Sequence, residues 1–211
     1  MQTPTDTTEP NIAPPGLKGL AVADTVLGDV RGQEGFFHYR QYDAAELARN
    51  HTLEDVWTLQ LRGALPPEAA VVEAGDHRAL PPLVAEIVDA TAQRVADPMV
   101  TLRTGLLALG DHEGRGSMLD RSLDELHDDA RRLVAVVPTI LARHHRVRQG
   151  ESPIAPDPAL GHAADYLRMA TDRLPDPVAA RAVEQYLVAT VDHGFNASTF
   201  TARVVASTGA Y

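Results

Sequence analysis

The sequence predicts an all-α domain that opens on one short β-hairpin. Three observations carry this reading. From residue 43 onward, apolar side chains recur at spacings of three and four within segments separated by Pro or Gly. Strand-type patterning occurs once, ahead of those segments, around the turn Gly32-Gln33-Glu34-Gly35. The chain has 211 residues, 44% of them hydrophobic and 23% charged, which suits a folded domain with one sizeable core.

The elements follow in chain order. Residues 1–15 are rich in Thr, Pro and acidic side chains, which bury too little surface to offset the entropy of ordering, so a disordered lead is expected there. The folded domain is expected over 16–211. Val22, Val26, Leu27 and Val30 lead into the glycine turn, and Phe36-Phe37-His38-Tyr39 leads out of it, which is the hairpin. Asp43 is placed to cap a helix reaching Ala48. Thr52 with Asp55 makes a capping-box-like start for a helix over Leu53 to Arg62, which Gly63 and Pro66-Pro67 end.

Further helices are expected over Pro81 to Ala96, Thr101 to Leu109, Leu123 to Arg146, Leu160 to Asp172 and Pro177 to Asp192. In the Leu123 helix, Ala130, Leu133, Val134, Val137, Ile140 and Leu141 fall at helical spacings, while Pro138 should kink or break it. Gly150 to Pro158 reads as a loop, and Arg143-His144-His145-Arg146 suits the negative end of the preceding helix dipole. A last helix begins at Asn196. It lines up Ala197, Phe200, Val204, Val205 and Thr208 on one face, so it is expected to be buried.

Charge and composition exclude several function classes. A formal net charge of -10 leaves no basic field for nucleic acid. No apolar run approaches the roughly 18 residues a membrane span needs, and the N-terminus lacks a basic region followed by an apolar stretch. A cytoplasmic protein with no membrane partner is expected. The chain has no cysteine, which removes disulfides, thiolate nucleophiles and sulfur-based zinc sites. Adjacent His144 and His145 point to different helix faces and make a poor metal pair. The loop Asp111-His112-Glu113-Gly114 is a weak metal candidate of a common kind, and no metal is expected.

The chemistry concentrates in Asp192-His193-Gly194-Phe195-Asn196-Ala197-Ser198-Thr199, a polar loop opening into an apolar helix. Such a helix N-terminus attracts carboxylate oxygens through its unpaired N–H groups and dipole, and a nearby histidine adds a donor or a charge. On residue types alone the commoner role is plainer: Asn196 or Ser198 caps the helix and His193 is a satisfied, partly buried side chain.

The whole run Asp192 to Ala210 closely resembles the segment that ends the first half of citrate synthases. Gly16 to Ala48, Asp97-Pro98-Met99-Val100-Thr101-Leu102-Arg103-Thr104 and His162-Ala163-Ala164-Asp165-Tyr166-Leu167 resemble the same family in the same order. The bacterial citrate and 2-methylcitrate synthase branch is the most similar. Gln41 and Thr171-Asp172 depart from positions where the family usually carries glycine.

The resemblance implies a partial citrate-synthase-like large domain and a C-acyl transfer that condenses acetyl-CoA with oxaloacetate to citrate and CoA. Acetyl-CoA is then a substrate, and no cofactor is implied. His193 matches a histidine that binds oxaloacetate, and Asn196 lies beside it. The family's enol-stabilising histidine, keto-polarising histidine, catalytic aspartate and carboxylate-binding arginines fall beyond Tyr211, so no residue of this chain is assigned a catalytic role. The expectation is an N-terminal half or subunit, inactive without the C-terminal half, forming a homodimer or a heteromer with a C-terminal-half subunit. A truncated product shares that reading, and the alternative is a non-catalytic regulatory or interaction module built on the same scaffold.

Overall fold

The computed structural model describes residues 12–17, 19, 23–67 and 77–209. The expected lead and Val22 therefore lie wholly or mostly outside the described residues. The hairpin forms, with strands β1 (Gly28–Arg31) and β2 (Phe36–Tyr39) antiparallel and Arg31 opposite Phe36. Its turn closes with Gly35 in the left-handed region, where the missing Cβ removes the steric penalty. A third strand, β3 (Tyr42–Asp43), pairs with β2 and makes the hairpin a small three-stranded sheet.

The tight turn between β2 and β3 places the positive φ on Arg40 rather than on Gln41, so residue 41 needs no glycine here. Arg40 is held in that conformation from both ends. Its N–H donates to the Leu27 carbonyl, and its guanidinium donates to the Gln60 carbonyl. At Asp172 the left-handed backbone of a helix C-cap does fall on the residue replacing a glycine, and a short polar side chain tolerates it better than most.

Eight helices follow among the described residues: α1 (Ala44–Asn50), α2 (Leu53–Arg62), α3 (Pro82–Arg94), α4 (Pro98–His112), α5 (Leu123–Arg148), α6 (His162–Thr171), α7 (Pro177–Ala189) and α8 (Ala197–Ser207). The cap residues start them as expected. Asp43 accepts from the Glu46 N–H at 2.8 Å, and Thr52 and Asp55 form a reciprocal box. The helix around Thr101 begins earlier, because Asp97 caps it and Pro98 takes the first helical position, where its absent N–H costs nothing.

Three expectations need correction. Helix α5 runs unbroken through Pro138, whose ring is buried among packed neighbours. Tertiary packing on both sides holds the helix where local propensity would end it. The core-facing stripe of α5 is carried by Val136 and Ile140, while Val134 is exposed. Helix α8 is not buried: Val204 and Val205 are 47% and 45% exposed, and none of its residues is enclosed. Its apolar stripe is present in the sequence, but no described element covers it.

Two apolar clusters organise the chain. Tyr39, Ala44, Leu47, Leu53, Val56, Leu59 and Val188 join the sheet to α1, α2 and α7. Val84, Val88, Leu109, Val136 and Ile140 join α3, α4 and α5. The second is tight at Gly105, where an added Cβ would stand 2.9 Å from Val88 Cγ2 and 3.0 Å from Ile140 Cδ1. Gly110 in the same helix has open space instead. Gly105→Val is therefore expected to cost about 3 kcal/mol by overpacking, and Gly110→Ala to add about 0.5–1 kcal/mol through helix propensity. Urea midpoints at constant m check both; equal effects of the two changes would refute the packing argument.

Between the clusters sits a buried polar node. Arg78, fully buried, donates to Asp165 at 3.1 Å, Glu54 at 3.2 Å and the Leu160 carbonyl at 2.7 Å. Glu54 also accepts the His162 N–H at 2.8 Å, and Asp165 accepts from Asp157 N–H and Arg168. Thr139 of α5 donates its hydroxyl to the Arg78 carbonyl at 2.9 Å. The Arg78 guanidinium thus ties α2 to α6 and the loop before it, and the Arg78 carbonyl ties the segment entering α3 to α5. Nothing in the sequence reading pointed to Arg78 or Glu54.

Candidate functional site

The loop at 190–196 is created by the early end of α7. The expected helix to Asp192 stops at Ala189, since Thr190 turns its hydroxyl onto the Tyr186 carbonyl and the buried Tyr39 hydroxyl donates to the Val188 carbonyl at 2.8 Å. Those contacts satisfy carbonyls that a helix end leaves open. Burial raises the pKa of the Tyr39 hydroxyl above its usual value, although the N–H groups of Asp192 and Val191 favour its charged form. Tyr39 therefore stays a neutral donor beneath the loop.

Asp192 then closes a turn around His193. Its Oδ2 accepts the Gly194 N–H at 3.0 Å, and Gly194 takes the left-handed φ of 77° that a side chain would resist. His193 projects from this turn and is exposed. The expected partial burial of that ring does not occur.

Asn196 caps α8, its Oδ1 accepting the Thr199 N–H at 3.0 Å. One oxygen of Asn196 is thus committed to the helix. Ala197 and Ser198, the next two residues, are exposed, and by helix geometry their N–H groups have no intrahelical acceptor. His193 and these donors occupy the same end of α8, an arrangement able to meet a carboxylate. Phe195 stacks edge-on to Phe200 at 6.1 Å, and Arg203 lies 5.7 Å over the Phe195 ring. This aromatic pair fixes the loop to the helix.

The other sequence candidates stand elsewhere. His144 is buried with Nδ1 2.9 Å from the Thr101 hydroxyl, while His145 is exposed on the opposite side. Glu113 is engaged by Arg115 and Arg132. Burial alone would raise its pKa, but the hydrogen bonds and charges of these two arginines bring it below the usual value. His162 is the most perturbed histidine: burial, then the Arg78 charge, depress its pKa to about 3. It is packed edge-on against Trp57 at 4.8 Å inside the polar node, so its perturbation serves the fold rather than an open site. Asp192 stood in the run singled out from the sequence but was given no role of its own, and Gly28 and Tyr39 were missed as parts of the site. A glycine in β1 was the one sequence signal for close approach.

Comparison with known proteins gives a consistent result. The family model described as "Citrate synthase, C-terminal domain" matches residues 16–211. A citrate synthase of Haloferax volcanii is 35% identical over 198 residues, covering 92% of this chain and 52% of that protein. A 2-methylcitrate synthase of Mycobacterium tuberculosis is 34% identical over 213 residues, covering 99% and 52%. The crystal structure of citrate synthase from Pyrobaculum aerophilum superposes with a TM-score of 0.81 at 35% identity, over 92% of this chain and 51% of that one. The chain spans about half the length of the curated relatives it matches.

Proposed function

The chain belongs to the citrate synthase family, and from that premise we propose that residues 1–211 supply the oxaloacetate-contacting half of an enzyme condensing acetyl-CoA with oxaloacetate to citrate and CoA. The observation that carries the reading is the exposed His193, held in a closed turn at the N-terminus of α8 within a stretch that closely resembles the family. There His193 donates to an oxaloacetate oxygen, the N–H groups of Ala197 and Ser198 add positive potential, and Asn196 shapes the edge of the site.

The condensation also needs a base for the thioester methyl and donors for the enol and the keto group. No residue of 1–211 is assigned those tasks. His144 and His162 are packed into the fold, and Glu113 is neutralised by two arginines. The proposal therefore has residues 1–211 inactive by themselves, as a homodimer included, and active in an assembly that also contains the other half of the relatives. The reaction uses acetyl-CoA as substrate with no bound cofactor, and we place it in the cytoplasm.

Co-expression with a polypeptide corresponding to the other half of the relatives tests this. Release of CoA thiol from acetyl-CoA and oxaloacetate is the readout, to which this chain adds no thiol of its own. Residues 1–211 alone are expected to show no release, the pair to show it, and His193→Ala to lower kcat/KM for oxaloacetate about a hundredfold. No release across a stoichiometric titration would overturn the proposal.

A further inference from the structure

Gly28 lies in β1 with an ordinary extended backbone, so its lack of a side chain is not explained by φ. Space explains it. A Cβ there would stand 2.6 Å from Asp192 Oδ2 and 3.1 Å from the His38 carbonyl oxygen. A strand glycine is unfavourable by propensity and commonly marks a close approach. Here the approaching group is the carboxylate that also accepts the Gly194 N–H at 3.0 Å.

The same sheet meets the loop again at Gly194, where a Cβ would touch Val30 of β1 at 3.6 Å, and it holds the end of α7 just before the loop, where Tyr39 of β2 donates to the Val188 carbonyl. The loop carrying His193 is therefore seated on the sheet on either side of the histidine, while His193 itself stays exposed.

We propose that Asp192 is a positioning residue for His193, and that Gly28 is a glycine because any side chain there would push the Asp192 carboxylate off the Gly194 N–H. The inference rests on His193 as an oxaloacetate contact. The small sheet is then the base plate of the substrate loop. Asp192 does not touch oxaloacetate; it fixes the turn whose apex presents the imidazole. A ring displaced by about an ångström loses much of its value as an oriented donor.

The test uses the full chain paired with the complementary half, and compares Asp192→Ala, Asp192→Asn and Gly28→Ala with the unmodified chain. KM for oxaloacetate is expected to rise about tenfold in Asp192→Ala and Gly28→Ala, with KM for acetyl-CoA unchanged. Asp192→Asn keeps an acceptor oxygen and is expected to recover most of the loss. Amide exchange at Gly194, read by NMR on the chain, is expected to quicken in the two alanine variants and not in Asp192→Asn. An active pair in which Asp192→Ala leaves KM for oxaloacetate unchanged, raises both KM values equally, or behaves like Asp192→Asn overturns this inference alone. An inactive unmodified pair overturns the functional reading and this inference with it.

Discussion

Replacing Arg78 by Met is expected to lower the stability of the fold by about 4 kcal/mol, the scale for breaking a buried ion pair from one side. The guanidinium is fully buried and so is Asp165, while Glu54 is nearly so. Removing it leaves the Glu54 carboxylate enclosed without its cation, leaves Asp165 with Arg168 as its one remaining guanidinium, and leaves the Leu160 carbonyl without its donor. Typical domains have only about 5–15 kcal/mol in total, so the variant loses a large share of its margin.

Arg49 supplies the control. Its bond to Glu46 is short, at 2.6 Å, but both side chains are more than half exposed. Solvent screening and side-chain entropy leave such a pair worth well under about 1 kcal/mol, so Arg49→Ala is expected to be nearly neutral. Urea unfolding of both variants distinguishes the cases, and failure of Arg78→Met to fold, seen as lost helical circular dichroism, agrees with the larger effect. An Arg78→Met midpoint matching that of Arg49→Ala would show that the node contributes little.

The second large effect concerns acid. His162 has a folded pKa of about 3 against an unfolded value near 6.5, because burial and then the Arg78 charge oppose its protonation. Its depressed value means that the unfolded chain binds the extra proton first. The stability of the neutral buried ring is fully present above pH 6.5 and is lost as pH falls from there towards 3. Within that window each pH unit costs about 1.4 kcal/mol for one proton.

Glu54 acts in the opposite sense. Burial raises its pKa, outweighing its hydrogen bonds with backbone N–H groups and the Arg78 charge, so its contribution is present below the unfolded value and fades as pH rises. Comparing the protein with His162→Phe separates the two. Phe keeps an aromatic ring against Trp57, and His162 Nδ1 has no partner to lose among the described residues. At pH 8 the two proteins are expected to be similarly stable; from pH 6 to 4 the difference should shift towards Phe by nearly the one-proton slope. Parallel stability curves across that range would refute the assignment.

The parts of the site legible in the sequence were those made by neighbours in the chain. Asp43, Thr52 with Asp55 and Asn196 all cap the helices assigned to them, since a cap is satisfied within three residues of itself. His193 stood out by its place before an apolar helix, and that position holds. What the residue pattern could not give was which side of an element meets another. The apolar stripe of α8 looked buried yet lies open, because periodicity records a face and not its cover.

The long-range contacts mark the other boundary. Asp192 reads locally as the last residue of a helix; only packing of the sheet against the end of α7 makes it the hinge of a turn seated on Gly28. Arg78 reads as one surface cation among many, and it is buried because Glu54 and Asp165 reach it from 24 and 87 residues away. By itself, then, the sequence determined the presence of the helices, the starts set by Asp43, Thr52 and Asn196, and the family, since those rest on backbone hydrogen bonding and on residue patterns within short windows. Tertiary structure alone decided the buried charge node, the continuity of α5 through Pro138 and the seat of the His193 loop. Each of these depends on desolvation and close packing between segments that are neighbours only after folding.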